Sequence, residues 1–185
     1  MMTFPRMMMA GCLALTTAGA ALAQDNPMVG GAEMMADRTI VENAANSADH
    51  TTLVAAVQAA GLAETLSGEG PFTVFAPTNA AFEALPAGTV DTLLQPENKE
   101  LLTTILTCHV VGAEVMSAAL AQMIANDGGS HPVETLGGCV LNAQASGDTI
   151  TLTDENGTVA TVTIADVDQS NGVIHVIDAV LQPAS

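Results

Sequence analysis

Phe72-Thr73-Val74-Phe75-Ala76-Pro77-Thr78-Asn79-Ala80-Ala81-Phe82 is the stretch on which the reading of this chain turns. Phe72 to Phe75 alternates and is β-prone, Pro77 stops the strand, and Thr78 or Asn79 is placed to cap a short helix through Phe82 and Leu85 that Pro86 ends. Three of the four Phe residues fall in this stretch, and the chain has no Trp or Tyr. They are expected to gather at one strand-to-helix junction as a core anchor, each contributing on the order of 2 kcal/mol if fully buried.

Upstream of this stretch the spacing is helical. Ile40, Val41, Ala44 and Ala45 form one short helix, and Leu53, Val54, Val57 and Ala60 form the stripe of a second that Gly61 closes and Asp49 is placed to cap. Residues 24–38, with Pro27, Gly30, Gly31 and the pair Met34-Met35, have no periodicity and read as a linker or loosely docked arm. Downstream, Pro96 opens a helix whose Leu101, Leu102, Ile105 and Leu106 are expected to face inward. The chain is then extended at Cys108 to Val111 and helical again from Glu114 to Ile124. From His131 the period becomes two, with strands expected at Val133–Leu136, Cys139–Ala143, Thr149–Thr153, Thr158–Ile164 and Val173–Leu181. Asp154-Glu155-Asn156-Gly157 makes a hairpin turn between the third and fourth. Helices first and strands later argue for an α+β domain over residues 39–183.

Asn171-Gly172-Val173-Ile174-His175-Val176-Ile177-Asp178-Ala179-Val180-Leu181-Gln182-Pro183 is the second long signature. Asn171-Gly172 reads as a turn, and Val173, Ile174, Val176 and Ile177 supply a strand buried on both faces. Together with Phe72, Phe75, Pro77, Thr78, Asn79 and Phe82, this stretch, with Asn171, Gly172 and His175, resembles the paired signatures of the fasciclin-like domain. Leu106-Thr107-Cys108-His109-Val110-Val111 stands where that family has a Tyr-His pair, with Cys108 in place of the Tyr. The resemblance implies a wedge-shaped β core flanked by several short helices, in a secreted or surface-attached protein that serves adhesion or extracellular binding. It also places Asp166-Val167 where adhesive members carry an Asp-Ile pair used in receptor binding, so Asp166, Val167 and His109 are the candidate partner-binding residues. His109, in an apolar strand, needs a hydrogen-bond partner if buried, and Asn79 is the partner expected for it.

The N-terminus reads as an export signal. Arg6 precedes an uncharged run from Met7 to Ala23 that ends Ala21-Leu22-Ala23, the small-x-small pattern of a cleavage site, so residues 1–23 are expected to be removed. The run falls short of the roughly 20 residues that span a bilayer. A lipoprotein reading of Met9-Ala10-Gly11-Cys12 would leave only Met7 to Met9 as its apolar core. Export leaves Cys108 and Cys139, for which one disulfide is the favoured reading in an oxidising compartment and two buried thiols the alternative. Loss of the leader also leaves Arg38 and Lys99 as the only basic residues against 20 acids, a formal charge of −18. Such a chain lacks the cationic grooves and stacking platforms that nucleic acid requires, and anionic membrane surfaces repel it.

An inventory of reactive groups points away from catalysis. His50, His109, His131 and His175 are scattered, with no His-Glu-x-x-His, Cys-x-x-Cys or Gly-x-Ser-x-Gly, and a single lysine excludes a multi-cation phosphate clamp. Asp166 to Ile177 begins like a calcium loop, but its Gly falls one place late and its twelfth position is Ile rather than Glu. Met28, Met34 and Met35 offer thioethers to copper(I) only if the arm brings them together. No metal and no cofactor are therefore expected. The expectation is an exported, non-catalytic binding or adhesion module whose partner is a surface protein, a polysaccharide or a small ligand. A periplasmic sensor or carrier of a small ligand or metal is the alternative, and a weak hydrolase with a buried, paired nucleophile is a third reading.

Overall fold

The computed structural model describes residues 26–184. The expected leader and Cys12 lie outside the described residues. In chain order the elements are strands β1 (Met28–Val29) and β2 (Ala32–Glu33), and helices α1 (Ile40–Asn46), α2 (Thr51–Ala60) and α3 (Ala63–Leu66). Strand β3 (Phe72–Pro77) leads to α4 (Asn79–Glu83), α5 (Thr89–Leu93), α6 (Lys99–Thr107), strand β4 (Val110–Val111) and helix α7 (Ser117–Asn126). Strands β5 (Ser130–Glu134), β6 (Val140–Ser146), β7 (Thr149–Thr153), β8 (Val159–Gln169) and β9 (Gly172–Ile177) complete the domain. The α+β expectation holds.

Strands β3 to β9 form one seven-stranded sheet in the order β4-β3-β9-β8-β7-β6-β5. Second and third in that order, β3 and β9 run parallel, with Phe72 opposite Gly172 and Pro77 opposite Ile177. The backbones approach so closely there that a Cβ on Gly172, at φ +152°, would lie 1.9 Å from the Phe72 carbonyl oxygen. Every residue of β9 is buried, because the pair has a hydrophobic core on each face. One face carries Val74, Ala76, Ile174 and Val176 against Leu53, Val57, Ile105 and Leu106 of the helices. The other carries Phe75 and Ile177 against Leu120, Leu141 and Leu152.

This two-sided burial corrects the single aromatic anchor. Phe72 and Phe82 belong to the first core and Phe75 to the second, since residues three apart in a strand point to opposite faces. Leu101 is also misread: it is 49% exposed, while Leu102, Ile105 and Leu106 are buried. The last helix starts at Ser117, not Glu114. Strand β5 starts earlier, at Ser130, and ends at Glu134 before the expected Leu136, β6 and β8 run on to Ser146 and Gln169, and β9 ends at Ile177. The stretch expected to be a loose arm pairs β1 with β2 and buries Val29 and Met34 in the first core.

The sheet closes on itself in a barrel-like way near a disulfide. The Leu136 N–H donates to the Val110 carbonyl at 2.8 Å and the Gly137 N–H to that of Thr107 at 3.0 Å, which ties the β5–β6 turn to edge strand β4. Cys108 is bonded to Cys139 across this seam, with Cα atoms 5.4 Å apart, inside the range a disulfide requires. Gly137 permits the approach, since a Cβ there would meet Cys108 N at 2.7 Å.

Helix starts carry the remaining order. Thr39 caps α1 through a capping box with Glu42, Thr78 caps α4, and Gly61 closes α2 in the left-handed conformation. Helix α2 has no local cap, because Asp49 lies in the turn before it and N-cap His50 makes no capping bond. Asn79 supplies one from 27 residues away: its Oδ1 accepts from the Thr52 N–H at 3.0 Å and its Nδ2 donates to the Ala48 carbonyl at 2.8 Å. Asn171 acts similarly on α1, accepting the Ile40 N–H at 3.1 Å while its Nδ2 donates to the carbonyls of Leu66 and Gly68. The Asn171→Ala variant orphans one donor and two acceptors and is expected to lose about 3 kcal/mol in urea unfolding. Asn79→Ala is expected to lose about 1 kcal/mol, as for a lost helix cap.

Candidate functional site

The Asp166-Val167 pair lies within β8, where the register against β9 slips twice, between Val162 and Ile164 and between Ile164 and Val167. Asp166 occupies the second bulge with φ +56°, a left-handed conformation that Asp tolerates better than most residues. Three bonds hold it there. Its carboxylate accepts from the Ser117 backbone N–H at 2.6 Å and from the Ser117 hydroxyl, while its own N–H donates to His175 Nδ1 at 3.2 Å. Ser117 is the first residue of α7 and Met116 before it offers no side-chain cap, so Asp166 places a carboxylate where the helix dipole favours one. Because Asp166 sits in a strand and its carboxylate is engaged in this way, the near-miss calcium loop is no loop.

His175 continues the network. Its Nε2 donates to the Val115 carbonyl at 2.8 Å, its Nδ1 accepts from Asp166, and its ring stacks on Phe75 with centroids 5.7 Å apart. Thr73 binds the same segment, its hydroxyl donating to the Ala113 carbonyl and accepting the Val115 N–H. The segment from Ala113 to Ser117 is thus held against the second face of β3, β8 and β9 by Thr73, Asp166 and His175. Sequence reasoning missed Ser117 and Thr73, which carry no local signal because each bonds to a segment distant in the chain.

Ser117, Asp166 and His175 are the residue types of a hydrolytic triad, connected differently. A nucleophilic serine needs an imidazole nitrogen to take its proton. Here the hydroxyl faces the carboxylate, and both imidazole nitrogens are bonded to backbone groups. The arrangement positions a helix and a loop.

His109 is wired in the mirror sense. Its Nδ1 pairs with the Ile105 carbonyl at 2.8 Å, and its Nε2 accepts the Leu181 N–H at 2.9 Å. A carbonyl only accepts and an amide N–H only donates, so the proton is on Nδ1 in His109 and on Nε2 in His175. The expected Asn79 to His109 contact is not made, because Asn79 caps α2. Buried Asp154 anchors the same C-terminal segment, taking the N–H groups of Asn156 and Thr158 on one oxygen and that of Gln182 on the other.

Of the three partner-binding candidates, His109 at 2% exposure and Val167 at 0% have no surface to offer. Asp166 is half-buried. The methionines of the arm are separated. Met34 packs in the core while Met28 is 61% exposed, so the three thioethers do not face one site. Among the described residues no three His, Cys, Asp or Glu side chains gather in a metal-binding group. His50 is buried, with Nδ1 on the Ser47 hydroxyl at 2.9 Å.

Comparison with known proteins agrees with this geometry. The family described as Fasciclin domain matches residues 48–183. Protein sll1483 of Synechocystis sp. is 52% identical over 145 residues, covering 78% of this chain and 73% of that protein. Transforming growth factor-beta-induced protein ig-h3 of Sus scrofa is 39% identical over 131 residues, 71% of this chain and 17% of the longer protein. Among solved structures, a FAS1 domain pair from the insect cell adhesion molecule fasciclin I superposes with a TM-score of 0.69 at 18% identity, over 78% of this chain and 50% of the pair.

Two measurements test the wiring. Burial holds His109 down to about 4 and lowers His50 and His175 as well, each against weaker opposing hydrogen bonds. The unfolded chain takes up these protons near pH 6.5 and the folded chain does not, so the stabilisation is complete above that pH and is lost as pH falls from about 6.5 towards 4. The His109 share is on the order of 3 kcal/mol. Long-range nitrogen-15 spectra at pH 5.5 should show His109 neutral with its proton on Nδ1, and a charged ring would refute the wiring. Asp166→Ala keeps the positive φ and loses both Ser117 bonds, so it should cost about 3 kcal/mol in denaturant unfolding.

Proposed function

The chain belongs to the fasciclin family, and we propose that it is an exported, non-catalytic binding module that mediates contacts at the cell surface or outside the cell. The observation that carries this reading is how the buried and half-buried polar groups are used. Asn79, Asn171 and Asp166 hold helix starts, and His109 and His175 hold backbone segments. Binding is then the work of the outer surface. Export to the periplasm or beyond is supported by the Ala21-Leu22-Ala23 pattern, and the Cys108–Cys139 bond suits an oxidising compartment. Fasciclin I, whose domain pair shares this fold, is a cell adhesion molecule, which supports adhesion as the class of contact.

The interior favours this reading over a small-ligand carrier. Helices α1 and α2 enclose an apolar cavity against β3 and α6 of about 30 Å³, lined by Ile40, Leu53, Val57, Leu106 and His109. Metabolite pockets are roughly ten times larger, and the hollows of that size, about 350 Å³ beside Ser117, Ala121 and Ile150 and about 470 Å³ beside Gly68, Pro71 and Asn171, are open clefts rather than enclosed sites. Crosslinking on intact cells, followed by identification of the captured molecules, is expected to recover a surface protein or polysaccharide bound to this domain. No specific capture, together with unchanged attachment and aggregation in a strain lacking the protein, would remove the proposal.

A further inference from the structure

Strands β5 to β8 bury one face only. Val133, Leu141, Leu152 and Ala160 point inward to pack with Leu120 and Ile124 of α7. The alternate residues point outward, and the register sets them in rows: Gln144, Thr151 and Thr161 lie abreast in adjacent strands, and Asn142, Thr153 and Val159 form the next row. All six are exposed or half-exposed. β5 extends the two rows with Ser130 and Pro132. None of these eight positions carries a charge, in a chain with 20 acidic residues. The acids lie around them: Glu134 at the end of β5, Asp148 and Glu155 in the turns, and Asp178 accepting the Thr161 N–H.

From this charge pattern and this chemistry we infer that the outer face of β5–β8 is a docking surface for a neutral, polyhydroxylated polymer, that is, an uncharged polysaccharide. The inference rests on the binding-module reading above and gives it a location and a partner class. Thr and Ser hydroxyls and the Asn and Gln amides each both donate and accept hydrogen bonds, as sugar hydroxyls do. Adjacent strands repeat them about every 4.8 Å, so a chain of sugars laid across the sheet meets successive polar groups. The other occupants fit less well. Anionic polymers and a second copy are repelled by the net charge and by the acidic rim. A protein partner draws most of its binding energy from aromatic and Arg anchors in pockets, and the face has neither.

The test uses the purified domain, nitrogen-15 labelled, titrated at physiological salt with a soluble neutral β-glucan and in parallel with alginate. Amide shifts confined to Asn142, Gln144, Thr151, Thr153, Thr161 and their neighbours with the glucan, and none with alginate, are expected. Asn142→Asp with Gln144→Glu is nearly isosteric and places two charges in the rows. It should weaken glucan binding at least tenfold while the spectrum elsewhere and the thermal midpoint stay unchanged. Should that double variant lose its fold, Thr153→Lys on the same face is expected to give the same loss. Absence of glucan shifts, shifts mapping elsewhere, undiminished binding by the variants, or face shifts that grow with protein concentration alone, as a second copy would cause, each overturn the inference. If the domain ignores glucan yet still captures a surface partner on cells, the inference falls and the binding-module reading stands. Failure of both measurements removes both.

Discussion

Strands β3 and β9 run parallel with almost no space between them at their start, where Phe72 faces Gly172, and the remaining elements take their places from that contact. A parallel pair needs a long crossover, and here the crossover holds four helices, a short edge strand and most of the sheet. Because helices cover one face of the pair and α7 with the outer strands covers the other, β3 and β9 have no solvent-facing side. A strand in that position tolerates polar groups only where their hydrogen bonds are complete, and Thr73 and His175 meet that condition through backbone partners, as His109 does beside them.

The same contact explains why conspicuous polar residues of both signatures hold backbone groups of distant segments. Asn79 follows β3 and Asn171 precedes β9, so each emerges at an end of that pair beside a helix whose first N–H groups lack partners. Asp166 stands at the bulge of β8, the neighbour of β9, and meets α7 in the same way. Three helices are thus pinned to the sheet by side chains distant in sequence. Buried His175 and His109, fixed in opposite tautomers, pin the Ala113–Ser117 segment and the C-terminal segment.

Much of this was readable in advance. The alternation before Pro77, the apolar run Val173 to Ile177, the left-handed Gly61 and the Asp154–Gly157 hairpin turn are local signals that the tertiary structure preserves. The Cys108–Cys139 pairing was the favoured reading of the two cysteines that lie outside the expected leader, and the structure makes that bond. What misled was inference across distance. Asp166-Val167 and His109 look like partner contacts when aligned by resemblance, yet the twist and bulge of β8 turn Val167 into the core and His109 is enclosed beneath Leu181. The arm at 28–35 has no periodicity because its two strands have two residues each, too few to display one.

The sequence by itself determined the class of fold, the position of the buried strands β3 and β9, the start of a helix at Thr78-Asn79, and the excess of negative charge. Those properties depend on residue type and spacing within a turn or a strand, and a chain carries them wherever it goes. Only the tertiary structure decided which helix each signature asparagine caps, which proton each buried histidine keeps, and that four outer strands share an uncharged face. Each of these joins groups well separated along the chain, up to the 131 residues between Ile40 and Asn171, and such pairings are fixed by how the chain crosses itself.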